Sequence, residues 1–481
     1  MNRQNLLGHL ALALTIILVA AFAGQLRRWE RHRKANAIPA GYEESRTAIV
    51  PNFVADGTDE PEILVRFREG LSEDAIRKIA AEHNDTVEDE IESVNGLVAI
   101  DDLDNADPQT VASEYRNLKG QVEYAEVNYV ISLDPPPVNS ATDSASEGSS
   151  QSLPDNQPDD PMFAEQWSLS NSGQRGGKVK ADINALLAWE KKTTGSSDVI
   201  VAVLDSGVDY RHQDLVQNMW ERTDNIAEYF DDQLGYVNDK YGYDATDVNG
   251  DPMDENGHGT HCAGIIGADG NNGIGIAGIN WHVKIMPLKF MSKGGFGSTK
   301  DAIEAINYVI NRKKAGVNVR IISASWGSTQ KSKALEDAIR AAGDAGILFV
   351  AASGNASADA DKTPHYPASF DLPNVISVAA LNRNDELASF SNFGAKRVHI
   401  AAPGAEILST WLNGDFREAS GTSMATPEVA GVAALVLSVE PKLSMEDLRA
   451  RILKSVDKLP GLNGKVSTGG RINAARAVGV E

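Results

Sequence analysis

Short apolar runs bounded by polar turns recur through the second half of the chain and predict buried strands: Val199–Leu204, Ile285–Phe290, Val319–Ile322, Ile347–Ala352 and Val375–Ala380. Between them the period changes to that of helices. Asp301–Lys314 carries Ile303, Ile306, Val309 and Ile310 on one face, and Lys333–Ala342 repeats the spacing. This alternation, from 161 to 481, predicts an α/β domain built on a doubly wound, mostly parallel sheet. Sites in such sheets open at the carboxyl ends of the strands.

Residues 62–133 read as a small α+β unit. Ile63–Phe67 predicts a strand, Ser72–Asn84 a helix with Ile76, Ile79 and Ala80 inward, and Leu97–Ile100 a second strand. Val111–Leu118 predicts a second helix and Val127–Ile131 a closing strand, an order that suggests a ferredoxin-like βαββαβ arrangement. Residues 134–160 are dense in Pro, Ser, Asp, Asn and Gln and predict a disordered linker open to cleavage. Leu6–Gly24 is a 19-residue run without formal charge, the apolar part of a leading segment 1–36. Ala21-Phe22-Ala23 offers a signal-peptide cleavage site, while the basic flank Arg27, Arg28, Arg31, Arg33 and Lys34 fits a retained anchor. Both readings predict an extracytoplasmic protein, secreted or membrane-anchored.

Composition removes other classes. The 481 residues include 67 acidic and 45 basic side chains, a net charge of −22, which opposes sequence-independent binding to nucleic acid. Cys262 is the only cysteine, so no intramolecular disulfide can form. An extracytoplasmic chain of this kind needs another way to staple its loops.

Three side chains stand in unusual contexts. Asp205 ends the buried run Val201–Leu204 and is followed by Ser206-Gly207; alone it could simply cap a loop. Asn256-Gly257-His258-Gly259-Thr260-His261 presents two imidazoles after a glycine-rich turn. Gly421-Thr422-Ser423-Met424-Ala425 sets a serine before an apolar helix running to Leu437, a place where hydroxyls often serve as N-caps. A serine hydroxyl needs an adjacent base to become a nucleophile, histidine has a suitable pKa, and the base needs a carboxylate to orient it.

Taken together, Asp205, His258 and Ser423 resemble the subtilisin-like serine protease family in both motif and chain order. The resemblance runs from about Asp160 to Val480 and includes Tyr366-Pro367-Ala368, Phe390–Gly394 and Ala401–Gly404. Gly257–Gly264 is most similar to the thermitase-type members. Glu428 departs from the histidine many members carry there, and is read as structural. The resemblance implies Ser423 as nucleophile, His258 as general base and acid, Asp205 as its orienter and Asn355, in Ser353-Gly354-Asn355, as oxyanion donor. His261 is read as structural. It also implies that a peptide adds as an extended strand between Gly295-Phe296-Gly297 and Ser325-Trp326-Gly327, beside Ser353 and Gly354. Trp326 stands open between pocket wall and core residue.

Metal sites are the expected staples. Asp244, Asp247, Asn249 and Asp251 alternate at spacing suited to Ca²⁺, although a solvated acidic turn has the same look. Resemblance to the thermitase calcium loop favours the metal. A second family site joins Asp160, Asp214 and Asn272 with carbonyls of Asp269, Ile274 and Ile276. Asp231, Asp232, Asn238 and Asp239 are candidates for a third, or for a solvated face.

Rival chemistries fit poorly. An α/β-hydrolase needs a histidine after its serine, and none follows Ser423; a zinc hydrolase lacks the H-E-x-x-H glutamate. The remaining alternative is an inactive peptide-binding protein on the same fold. The segment 62–133 resembles the inhibitor-type propeptide of subtilisin-like proteases, most recognisably at Glu123–Tyr129. This implies a zymogen whose partners are protein or peptide substrates and its own propeptide. Self-cleavage is expected between about Asn139 and Asp160.

Overall fold

The computed structural model describes residues 62–104, 106–134, 157–231 and 235–480. The run Leu6–Gly24, the linker residues 135–156 and Asp232 lie outside them.

Among the described residues the largest sheet has nine strands. From one edge they are Val456–Lys458, Gly470–Ile472, Ile400–Pro403, Val375–Leu381, Leu348–Ala352, Val319–Ala324, Gly195–Asp205, His282–Lys289 and Tyr243–Asp244. All neighbours are parallel except the first pair. Both faces are covered, which is why the strand sequences are continuously apolar. Along Gly195–Asp205, Val199, Val201 and Val203 pack with the helices His258–Gly267 and Thr422–Val439. The alternate residues Ile200, Ala202 and Leu204 pack with Thr299–Lys314 and Lys333–Asp344 on the other side. Thr422–Val439 is apolar and long enough to cross a bilayer, yet 89% of it is buried in the fold, as a core helix must be.

The small unit forms a four-stranded antiparallel sheet in the order Asp85–Glu90, Leu97–Asp102, Ile63–Phe67, Val122–Val127. Its helices are Glu73–Glu82, capped by Ser72, and Pro108–Asn117, capped by Asp107 with proline in the first turn. One sheet face packs on these helices through Ile63, Val65, Val98 and Ile100. The other face, with Leu64, Leu97 and Ala99, joins the apolar cluster of the larger domain.

The closing strand differs from expectation. It spans Val122–Val127, and the chain then turns into a separate strand, Val130–Ser132. That second strand leaves the small sheet and pairs antiparallel with Phe296–Ser298. The stretch from 122 to 132 carries no glycine or proline, so nothing strong marks the turn at Asn128-Tyr129. Asp85–Glu90 was not anticipated either, because an Asp-Thr-Val-Glu-Asp-Glu strand at a sheet edge has little apolar pattern to show.

The small unit is seated on two helix ends. Glu126 accepts from Lys333 N at 2.8 Å and Ala334 N at 3.0 Å, and from Ser332 Oγ at 2.5 Å. Asn128 Oδ1 accepts from Lys300 N at 2.9 Å, and Tyr129 O from Thr299 N at 2.8 Å. These amides belong to first helical turns, which lack partners inside their own helices.

Candidate active site

Parallel strands that end at one level deliver their following residues to one edge. Asp205 terminates its strand there, and Ser325 and Ser353 follow the neighbouring strands Val319–Ala324 and Leu348–Ala352. His258 and Ser423 sit in the first turns of the two helices packed beneath. Gly257 precedes His258 with φ at 105°, and a Cβ on it would lie 2.5 Å from the Trp411 ring, so glycine is required at that entry.

Asp205 Oδ1 lies 2.7 Å from His258 Nδ1 and accepts from Ser206 N at 2.8 Å. Asp205 is fully buried and His258 partly exposed. Burial acts to lower the imidazole pKa, but the charge and hydrogen bond of Asp205 outweigh it and hold His258 above its ordinary value. A buried carboxylate thus supports an imidazolium.

The turn that positions His258 is organised by Asp254, which sequence reasoning passed over. Its Oδ1 accepts from Ser206 Oγ at 2.9 Å, Asn256 N at 2.8 Å and Gly257 N at 3.0 Å. Its Oδ2 accepts from Thr260 N at 3.0 Å and Thr260 Oγ1 at 2.6 Å. Its signal was an acidic residue shortly before a glycine and a helix start, a capping pattern. His261 is buried, with Nε2 against the carbonyls of Ile407 and Arg417 at 3.1 and 3.0 Å, and burial lowers its pKa to about 4. It stays neutral and structural.

Ser423 Oγ donates to Ser325 O at 2.9 Å, while Ser423 O accepts from Ser325 Oγ at 2.7 Å. That carbonyl is available because Pro427, four residues on, has no N–H to offer it. Asn355 Oδ1 accepts from Thr422 N at 2.9 Å and Thr422 Oγ1 at 3.0 Å. A point one bond from Gly421 Cα lies 3.3 Å from Asn355 Nδ2 and 3.5 Å from Ser423 N, so two donors converge beside the serine. Thr422, which orients Asn355, was another residue sequence reasoning missed.

Asp205, His258 and Cys262 have ligand atoms within 4.8 Å of one another. The cysteine is fully buried, and burial together with Asp205 keeps its thiol protonated far above the usual range. The trio is better described as an acid–imidazole pair with a packed thiol.

The peptide-binding candidates are brought together. Gly295 O accepts from Leu133 N at 2.9 Å, Phe296 and Gly297 lie opposite Ser132 and Ile131, and Gly327 bridges Ser132 from the other side. Trp326 is both wall and core: it is 1% exposed, donates to Leu204 O at 2.8 Å, and lines a small cavity together with Ile131. Gly354 N donates to Thr422 Oγ1 at 3.1 Å, and Ser353 Oγ to Asn392 O at 3.3 Å.

The acidic loops differ from one another. Asp160 Oδ1 is buried with no hydrogen-bond partner among the described residues. Burial raises Asp160 to about 6 and Asp214 to about 7, and the charge of Asp160 adds to the rise at Asp214. Two buried carboxylates beside Asn272 and the 269–276 turn fit a hard cation. In the loop of Asp244, Asp247, Asn249 and Asp251, several carboxylate oxygens have partners within the protein. Asp244 Oδ1 is taken by Thr246, Oδ2 lies 3.3 Å from the Lys289 ammonium, and Asp251 Oδ1 accepts from Tyr210 OH. Asp239 likewise holds Arg222 at 2.8 Å and Arg312 at 3.1 Å in a buried ion-pair cluster.

An α/β sheet that presents an acid, an imidazole and a helix-borne serine at one edge defines a serine-hydrolase type of site. A model described as the Subtilase family matches residues 196–471, and one described as the Fervidolysin N-terminal prodomain matches 60–128. Thermitase of Thermoactinomyces vulgaris is 35% identical over 324 residues, covering 67% of this chain and 99% of that protein. The thermophilic serine proteinase of Bacillus sp. (strain AK1) is 37% identical over 291 residues, covering 60% and 64%. Subtilisin-like protease 2 of Plasmodium falciparum is 40% identical over 261 residues, covering 53% of this chain and only 18% of that longer protein. The chain belongs to the subtilase family of subtilisin-like serine proteases and carries a fervidolysin-type prodomain.

Proposed function

We propose that this chain is a serine endopeptidase made as a zymogen. The observation that carries the reading is the 2.7 Å Asp205–His258 contact at the strand edge where Ser423 and Asn355 converge. Asp205 holds the Nδ1–H tautomer, which leaves Nε2 as the base. Rotation of the Ser423 hydroxyl from Ser325 O toward His258 lets Nε2 take its proton as Oγ attacks the carbonyl carbon. Negative charge on the carbonyl oxygen is received by Asn355 Nδ2 and Ser423 N–H. His258 then protonates the leaving amine, and water repeats the sequence to release the acid. The raised pKa of His258 stabilises the imidazolium midway.

The domain reading is a prodomain at 62–133, a linker at 134–160 cut by Ser423, and a catalytic domain at 161–481. Strand order and the paired helices support a ferredoxin-like prodomain. Its capping contacts and the strand Val130–Ser132 support a role as inhibitor and folding aid. Fluorophosphonate labelling tests the chemistry: wild type labels at Ser423, and Ser423→Ala stays unlabelled and unprocessed. Labelling elsewhere, or normal processing of the purified variant, would overturn the reading. Fractionation with N-terminal sequencing tests the extracytoplasmic placement and decides between cleaved and retained 6–24.

We infer that Asp160, Asp214 and Asn272, with carbonyls of Asp269, Ile274 and Ile276, hold structural Ca²⁺. Bound metal would offset the two buried charges and clip this segment to the 269–276 turn. Chelation should lower the unfolding temperature of wild type and have little effect on Asp160→Asn/Asp214→Asn. Equal unfolding of wild type with calcium and with chelator would reject the site.

A further inference from the structure

We infer that the cleft selects an acidic side chain on the residue that supplies the acyl carbonyl, and that His365 recognises it; this rests on the endopeptidase reading above. The chain's own segment 130–134 occupies the cleft as an extended peptide, and its register identifies each position. Ile131 lines a small cavity together with Trp326 and Tyr366, Ser132 faces outward opposite Gly327, and Leu133 N donates to Gly295 O. Asp134 follows, and its carboxylate turns inward. Its Oδ1 lies 3.5 Å from His365 Nε2, and its charge also acts on His258. The residue that ends the segment seated in the cleft is therefore an acid held by a second imidazole.

His365 is built into this place. The residue is 7% exposed. Its backbone is held by Ser369 through His365 N to Ser369 Oγ at 3.1 Å and Ser369 N to His365 O at 2.8 Å. The ring lies against two glycines: a Cβ on Gly327 would fall 2.2 Å from Cε1, and one on Gly354 3.0 Å from Cγ. These glycines belong to Ser325-Trp326-Gly327 and Ser353-Gly354-Asn355, the segments flanking the reacting centre. His365 Nδ1 is buried without a hydrogen-bond partner among the described residues, which leaves Nε2 to meet whatever enters the cleft. A carboxylate satisfies that nitrogen as a charge-assisted partner, whereas an apolar side chain leaves the whole ring unpaired.

The test uses processed enzyme from the full chain and a peptide series that differs at one residue before the cleaved bond: Glu, Gln, Asp, Asn, Leu and Phe. Values of kcat/KM should favour Glu over Gln and Asp over Asn by at least about tenfold, the scale of a hydrogen bond to a charged group. His365→Gln should collapse the Glu-to-Gln ratio, a change that a merely structural role would not produce. A second measurement needs no variant to fold: the tetrapeptide Ile-Ser-Leu-Asp, copying residues 131–134, should inhibit wild type roughly tenfold better than Ile-Ser-Leu-Asn. Hydrolysis of the series with no acid preference, or equal inhibition by the two tetrapeptides, overturns this inference alone. Failure to cleave any peptide, with no fluorophosphonate label at Ser423, overturns the endopeptidase reading instead.

Discussion

Two helix N-termini in this protein treat negative charge in opposite ways. The helix Lys333–Asp344 is closed: Ser332 accepts from Leu335 N, and Glu126 of the prodomain takes Lys333 N and Ala334 N. The helix Thr422–Val439 begins after Gly421 with no side-chain cap from that residue, and Ser423 N and Asn355 Nδ2 lie around one point beside Gly421. Both ends favour an anion for the same reason, unpaired amides and the helix dipole. One is occupied by a resident carboxylate. In the proposed mechanism the other is kept for an oxyanion that exists only during reaction. Docking and catalysis here draw on one physical preference, separated by whether the chain supplies its own anion.

The comparison can be broken at either end. Ser423→Ala should have the largest effect, lowering peptide hydrolysis by about 10⁶-fold while the thermal unfolding of the precursor changes little. Asn355→Leu should lower kcat by roughly 10²–10³-fold with KM nearly unchanged, because the lost donor acts on the transition state. Retention of kcat by that variant would mean the open end is not an oxyanion site. At the closed end, Glu126→Ala in the Ser423→Ala precursor should speed amide exchange at Lys333 and Ala334 by about 10–100-fold, as expected for losing charge-assisted bonds. Unchanged exchange would remove Glu126 from the docking account.

The smallest effect concerns the second turn of the open helix. Glu428 is fully buried, Ser168 is its hydrogen-bond partner, and burial pushes its pKa from 4.5 up to about 8. An acid raised in the fold contributes stability that is complete below the unfolded value and is lost as pH rises to the folded one. Wild type should therefore lose stability between about pH 4.5 and 8 through this group. Glu428→Gln, with no proton to release, should unfold at a higher temperature than wild type at pH 9 and lose that advantage by pH 4. The same difference at both pH values would assign the effect to packing.

Much of this was legible in the chain because burial writes a strong pattern. The central strands are apolar on both faces, and the predicted runs at 199–204, 319–322 and 375–380 fall inside strands of the sheet. Asp205, His258 and Ser423 stood out because glycine turns and helix starts mark them. What stayed hidden depends on partners far along the chain. Thr422 reveals its role only beside Asn355, and Asp254 only beside Ser206. The loop around Asp244 has calcium-like spacing, but spacing cannot show that Lys289, 45 positions later, points its ammonium into it.

That ammonium has a consequence for the conditions the protein can tolerate. Lys289 ends the strand beside Asp205, with its Nζ 3.3 Å from Asp244 and 3.4 Å from Glu255. Burial acts to discharge it, yet the surrounding carboxylates hold its pKa above the ordinary lysine value, so it remains a cation. A metal ion in that loop would depart whenever its free concentration fell below its dissociation constant. A cation carried on the backbone has no such concentration, because tethering replaces bulk supply with a permanent local one. At the wall of the cleft next to Asp205 this tethered charge stays in place in calcium-poor surroundings as in calcium-rich ones.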